Sequence, residues 1–102
     1  MSEQHRFVTE LWIWDVATKG SWFFVTVPDD VSDALRLEAG APRGFGSLRV
    51  EATIGASVWT TSVFPSSDHP GCYVLPVKKA VRTAEGVDEG DRVRAAVRAI
   101  GA

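Results

Sequence analysis

The chain has 102 residues, 11 Lys and Arg against 13 Asp and Glu, a formal net charge of −2, and 45% hydrophobic with 10% aromatic residues. That fits one compact domain over residues 1–102 and leaves too little chain for two independent cores. A domain of this size buries roughly two thirds of its unfolded-chain surface, so the single Cys72 need not staple anything, and the near-neutral, dispersed charge excludes a long-range field for polyanions.

Residues 6–16 alternate, with Phe7, Leu11 and Ile13 on one side and Val8, Trp12, Trp14 and Val16 on the other, so this strand is expected to be covered on both faces. Lys19-Gly20-Ser21 is a turn signal, and Trp22 to Val27 is rich in β-formers, which predicts a hairpin. Pro28, with no N–H to donate, ends the ladder. Asp29 or Asp30 can cap a short helix from about 30 to 38, with Val31, Ala34 and Leu35 at helical spacing and Gly40 as its stop.

The loop from Gly40 to Gly46 feeds Leu48, Val50, Ala52 and Ile54, which alternate with Arg49, Glu51 and Thr53 as in a half-buried strand. Gly55-Ala56 turns the chain into Val58 to Phe64, a second hairpin. Pro65 to Gly71 is a polar turn, and Cys72-Tyr73-Val74-Leu75 is a strand stopped by Pro76. Lys78 to Glu85 reads as a short helix with Val77, Val81 and Ala84 inward and Gly86 at its end. A turn through Asp91 leads into a last strand, Val93 to Ile100, whose Arg92, Arg94 and Arg98 face away from Val93, Ala95 and Val97. The Asp91 carboxylate is placed to accept backbone N–H groups of that turn.

The fold class is therefore mainly β, a small closed or partly open β-barrel with two short helices in the order ββαβββαβ. The halves share a plan. Phe24-Val25-Thr26-Val27-Pro28 matches Cys72-Tyr73-Val74-Leu75-Pro76, each Pro precedes a short helix, and each half closes on a strand ending Ile54-Gly55 or Ile100-Gly101. Such self-similarity suggests a pseudo-two-fold barrel, with chance likeness of two β-rich stretches as the alternative.

Tyr73-Val74-Leu75-Pro76, followed by Lys78-Lys79, Val81-Arg82, Glu85-Gly86-Val87 and Gly90-Asp91-Arg92-Val93, resembles the strand-Pro-helix-Gly-Asp-strand signature of swapped-hairpin, AbrB-like barrels, with about two extra residues between Pro and Gly-Asp. Nearly the whole chain also looks like a member of domain-of-unknown-function family 1905. The carrying residues are Leu11-Trp12, Trp22-Phe23-Phe24-Val25, Val27-Pro28, Arg43-Gly44-Phe45-Gly46, Val50 to Gly55, Trp59 to Pro65, Tyr73 to Arg82 and Gly90-Asp91. This resemblance implies a small bacterial β-barrel with no assigned reaction.

Catalytic signatures are sparse: there is no Gly-x-Ser-x-Gly, phosphate loop or HExxH, and the imidazoles are His5 and His69. One Cys and two His far apart predict no metal site, and nothing calls for a cofactor. Cys72 lacks a neighbouring base and reads as a small buried side chain.

The strongest functional constellation is basic. Arg43 beside Gly44 and Gly46, together with Lys78, Lys79 and Arg82, could grip a carboxylate or phosphate, with Trp59 and Thr61 as a stacking face and hydrogen-bond partner. The competing reading is a solvated helix face with Arg82 spanning to Glu85 or Asp91, and tryptophans that fill the core.

The chain is read as a non-enzymatic binding module for a small anionic ligand or a protein partner, monomeric and cytoplasmic. It has no signal-peptide-like start, and its longest apolar run, Trp22 to Val27, is far short of the ~20 residues of a membrane helix. The alternatives are an AbrB-like nucleic-acid binder, which the pI of about 5.6 opposes and the Arg92/Arg94/Arg98 stripe favours, and an enzyme for which no nucleophile and base can be paired.

Overall fold

The computed structural model describes residues 3–16, 20–39 and 46–100. Strands β1 (His5–Val16), β2 (Gly20–Val27), β3 (Leu48–Ile54), β4 (Ser57–Pro65), β5 (Tyr73–Pro76) and β6 (Arg92–Ala99) and helices α1 (Asp29–Ala39) and α2 (Lys79–Glu85) follow the predicted order. The strands close into a six-stranded antiparallel barrel in the order β1-β2-β5-β4-β3-β6, so no sheet edge is left open.

The strand order carries the half-to-half plan. Exchanging β1, β2, α1 and β3 for β4, β5, α2 and β6 leaves every pairing unchanged. At the junction of the halves, Thr26, two residues before Pro28, faces Val74, two residues before Pro76. Pro28 lies just past the end of β2 and precedes α1 directly, whereas Pro76 is the last residue of β5, after which the Val77 N–H still donates to the Phe23 carbonyl before α2 begins at Lys79.

Period-two burial follows the alternation. Leu11, Val25, Val27, Val50, Val63, Leu75 and Val97 point inward and are fully buried. With six strands the interior is narrow enough for these β-branched and leucine side chains to fill it.

The expectation that β1 is covered on both faces does not hold. Val8 and Trp14 on its outer face are 48% and 56% exposed, and Trp22, paired with Trp14 across the hairpin, is 53% exposed. The helices cap the ends of the barrel instead of layering its side, so neither helix covers that face.

Helix α1 buries Val31, Ser32 and Leu35. The Asp30 carboxylate accepts the Val31 N–H at 2.9 Å, and the Pro28 carbonyl accepts the Ser32 N–H, the first bond of the helix. Ser32, absent from the predicted inward set, is fully buried and bridges β2 to β5: its hydroxyl donates to the Val27 carbonyl and accepts the Tyr73 N–H, both at 3.0 Å.

Helix α2 buries Val81, but Ala84, predicted inward, is exposed, because seven residues place only one side chain squarely on the barrel. It ends as predicted at Gly86, whose φ of 64° and ψ of 37° lie in the left-handed region that glycine adopts without strain. Gly55, in the β3–β4 turn, has φ 58°, and a Cβ there would run into the Glu85 carboxylate that packs against it. The Asp91 carboxylate accepts the Asp88 N–H at 2.8 Å, the predicted turn role. The predicted stop at Gly40 lies outside the described residues. Among those residues, no helix is long and apolar enough to cross a membrane.

Candidate functional site

A cleft of about 540 Å³ opens where α2 meets the mouth of the barrel. Alternation builds its floor: Phe23, Trp59 and Thr61 are inward-facing positions of β2 and β4, and the rings of Phe23 and Trp59 pack half-buried against the core. Trp22 and Thr60, the outward neighbours on the same strands, form the rim. The Pro76-Val77-Lys78 junction and the first turn of α2 form the opposite wall with Lys78, Lys79 and Arg82.

The cations in the wall are not equivalent. The Arg82 guanidinium lies 3.7 Å from the centre of the Phe23 ring and donates to the Val77 carbonyl at 2.7 Å. It therefore holds α2 on the barrel by a cation–π contact and a charge-assisted hydrogen bond. The expected spans from Arg82 to Glu85 or Asp91 are not made, since Glu85 accepts the Ser57 hydroxyl at 2.7 Å and Asp91 serves its own turn.

Lys78 and Lys79 are exposed and make no ion pair among the described residues. Among the described residues, no carboxylate lines the cleft. Its chemistry is thus a flat aromatic floor, two hydroxyls and two free ammonium groups under one immobilised guanidinium.

Of the residues singled out from the sequence, Trp59, Thr61, Lys78, Lys79 and Arg82 come together in this cleft from β4, the β5–α2 junction and α2. Arg43 and Gly44 lie outside the described residues. The site residues singled out from the sequence did not include Trp22 and Phe23. Their signal was the apolar run at the start of β2, which places an inward and an outward aromatic side by side at a barrel end.

The remaining aromatics sit elsewhere. Trp12 lies on the outer face, donates from Nε1 to the Thr26 hydroxyl at 3.0 Å and packs 5.1 Å from Phe24, which in turn stacks 6.5 Å from Trp22. Cys72 is buried, and its thiol donates to Asp29 Oδ1 at 2.8 Å. That hydrogen bond, reinforced by burial, pushes the thiol pKa up to about 11, the reverse of what a nucleophile needs. His5 shares a 2.9 Å hydrogen bond with Glu38 and ties β1 to α1. Among the described residues no three His, Cys, Asp or Glu side chains gather as a metal would require.

A closed six-stranded barrel with a helix at each end and one aromatic, basic cleft belongs to the class of small β-barrel domains. The chain is a member of the family described as domain of unknown function DUF1905, whose profile matches residues 7–97. No curated protein matches the chain.

Proposed function

We propose that this barrel is a binding module whose cleft beside α2 takes a small organic anion with a flat ring, such as an aromatic carboxylate. One observation carries the reading. In a chain of net charge −2, Lys78, Lys79 and Arg82 line a single cleft with Trp22 and Trp59 and, among the described residues, without any acidic side chain.

The ring would lie on indole faces, the carboxylate would meet Lys78 and Lys79, and the Thr60 and Thr61 hydroxyls would set its orientation. The volume falls within the roughly 300–1,000 Å³ of small-molecule sites.

Phenylacetate against its neutral amide is the direct test, read by thermal unfolding and tryptophan fluorescence. Phenylacetate is expected to raise the melting temperature and perturb Trp22 and Trp59, and the amide to bind at least about tenfold more weakly, as loss of one charge-assisted hydrogen bond implies. Equal binding of acid and amide would overturn the reading.

A further inference from the structure

The outer face of β6 carries a second concavity, on the barrel wall between β1 and β3, of about 530 Å³. Its floor is Ala96. Val93, Ala95, Val97 and Ala99 belong to the core cluster while Ala96, itself buried at 6% exposure, does not; its methyl points outward, flanked by Arg6 of β1 and Thr53 of β3 directly opposite it. Arg94, the next outward residue of β6, is the diagonal neighbour of Arg6, a separation of roughly 7 Å that two long side chains can close over one group. Gln4 extends the rim.

Among the described residues, every polar side chain around this dip is a donor or can act as one, and none is a carboxylate. The surrounding charges sharpen the point. Arg98 is ion-paired with Glu51 at 3.0 Å, and Glu10 faces Arg92 across the β1–β6 ladder. Glu85, which approaches Gly55 at the edge of the concavity, accepts the Ser57 hydroxyl. Arg6 and Arg94 make no ion pair among the described residues. Two guanidiniums thus stand above a methyl floor inside the concavity, with Glu10 and Glu51 to either side, while Arg92, likewise without an ion pair among the described residues, lies outside its lining.

We propose that Arg6 and Arg94, with the Thr53 hydroxyl, form a site for the phosphate group of a small phosphorylated ligand. Guanidinium forks match phosphate oxygens bidentately, and the small Ala96 leaves the depth that a tetrahedral oxyanion needs. The flanking Glu10 and Glu51 argue against a nucleic-acid backbone, whose next phosphates along the strand direction would meet carboxylates.

The test is a titration with inorganic phosphate and with glycerol phosphate, against chloride at matched ionic strength, read by ³¹P line broadening and by melting temperature. Both probes are expected to bind the native chain, Arg6→Gln and Arg94→Gln each to weaken binding about tenfold, and Arg92→Gln to leave it unchanged. Because all three arginines are exposed, the melting temperatures without phosphate check that the variants fold. Excess phenylacetate is expected not to displace phosphate, which separates this site from the cleft beside α2. Absence of a phosphate-specific effect, equal binding by all variants, or single-stranded oligonucleotide binding that depends equally on Arg92 would overturn the proposal.

Discussion

The two ends of the barrel are built on one plan and finished differently. At each end a helix follows a strand-ending proline, and an arginine of that helix lies over an aromatic ring from the other half of the chain: Arg36 of α1 is 5.1 Å from the Tyr73 ring centre, and Arg82 of α2 is 3.7 Å from that of Phe23. Each guanidinium also donates to a backbone carbonyl at 2.7 Å, Gly71 for Arg36 and Val77 for Arg82.

Beyond that shared device, the α1 end is internally satisfied. Ser32 bridges two strands, Asp33 pairs with Arg36 at 2.8 Å, Asp29 takes the Cys72 thiol and Glu38 takes His5. The α2 end has a shorter helix, a single buried residue within it and two lysines that pair with no acid among the described residues. One architecture thus has one end tied down by its own side chains and another that carries those two lysines.

The largest expected effect tests that division by core truncation. Leu35 of α1 is fully buried and Val81 of α2 is 4% exposed. Leu35→Ala is expected to lower the unfolding free energy by about 2–5 kcal/mol, through lost transfer energy and a residual cavity. Val81→Ala removes less and sits under a helix that can settle, so about 2 kcal/mol or less is expected at ~0.8 kcal/mol per buried methylene. Urea unfolding of both variants decides it. Equal losses would break the comparison.

A middle-sized effect is chemical. Hydrogen bonding to Asp29 and burial raise the Cys72 pKa from an ordinary 9.0 to about 11. At pH 8 the thiolate fraction is therefore about a hundredfold below that of an unperturbed thiol, and alkylation by iodoacetamide is expected to be correspondingly slow. The sign for stability follows from the raised pKa. The contribution is complete below about 9 and is lost as pH rises toward about 11. Asp29→Asn keeps the shape and removes the charge, and is expected to speed alkylation. A Cys72 as reactive in the native chain as in urea would show that the α1 end is open.

How much of this was legible in the residues differs between fold and site. Alternation sorts Val50 from Arg49 and Val97 from Arg98 without reference to anything distant, and Pro28 and Pro76 announce their own strand ends, so element order could be read directly, while closure was left between a closed and a partly open barrel. Alternation says which residues share a face, not whether that face meets another layer. The exposure of Trp14 and Trp22 was hidden for that reason.

The partner of Arg82 was hidden for another. Phe23 lies more than fifty positions away in sequence, and proximity along the chain pointed to Glu85 and Asp91. Ser32 was missed because a lone serine in a helix resembles a surface residue until the β5 N–H it serves is in place. Lys78, Lys79, Trp59 and Thr61 were legible as types with a chemistry. Their convergence depended on closure of the barrel.

The smallest effect sharpens the comparison from inside the α2 end, by separating the cation that holds the helix from those that do not. Lys78 and Lys79 are exposed, cap nothing with their side chains and pair with no acid among the described residues. Their joint replacement by alanine is expected to leave the unfolding free energy within about ±0.5 kcal/mol while abolishing the preference for phenylacetate over its amide. Arg82→Ala removes both the contact with the Phe23 ring and the donor to the Val77 carbonyl, and is expected to cost about 1–2 kcal/mol. Arg82→Lys distinguishes charge from shape. An ammonium can still lie over the Phe23 ring, but it lacks the planar fork that stacks on the ring while reaching the carbonyl, so only part of the stability should return. Full recovery with lysine would mean that charge alone anchors α2. A destabilisation by the double lysine replacement equal to that of Arg82→Ala would mean that all three cations are structural, and that the cleft is no freer than the α1 end.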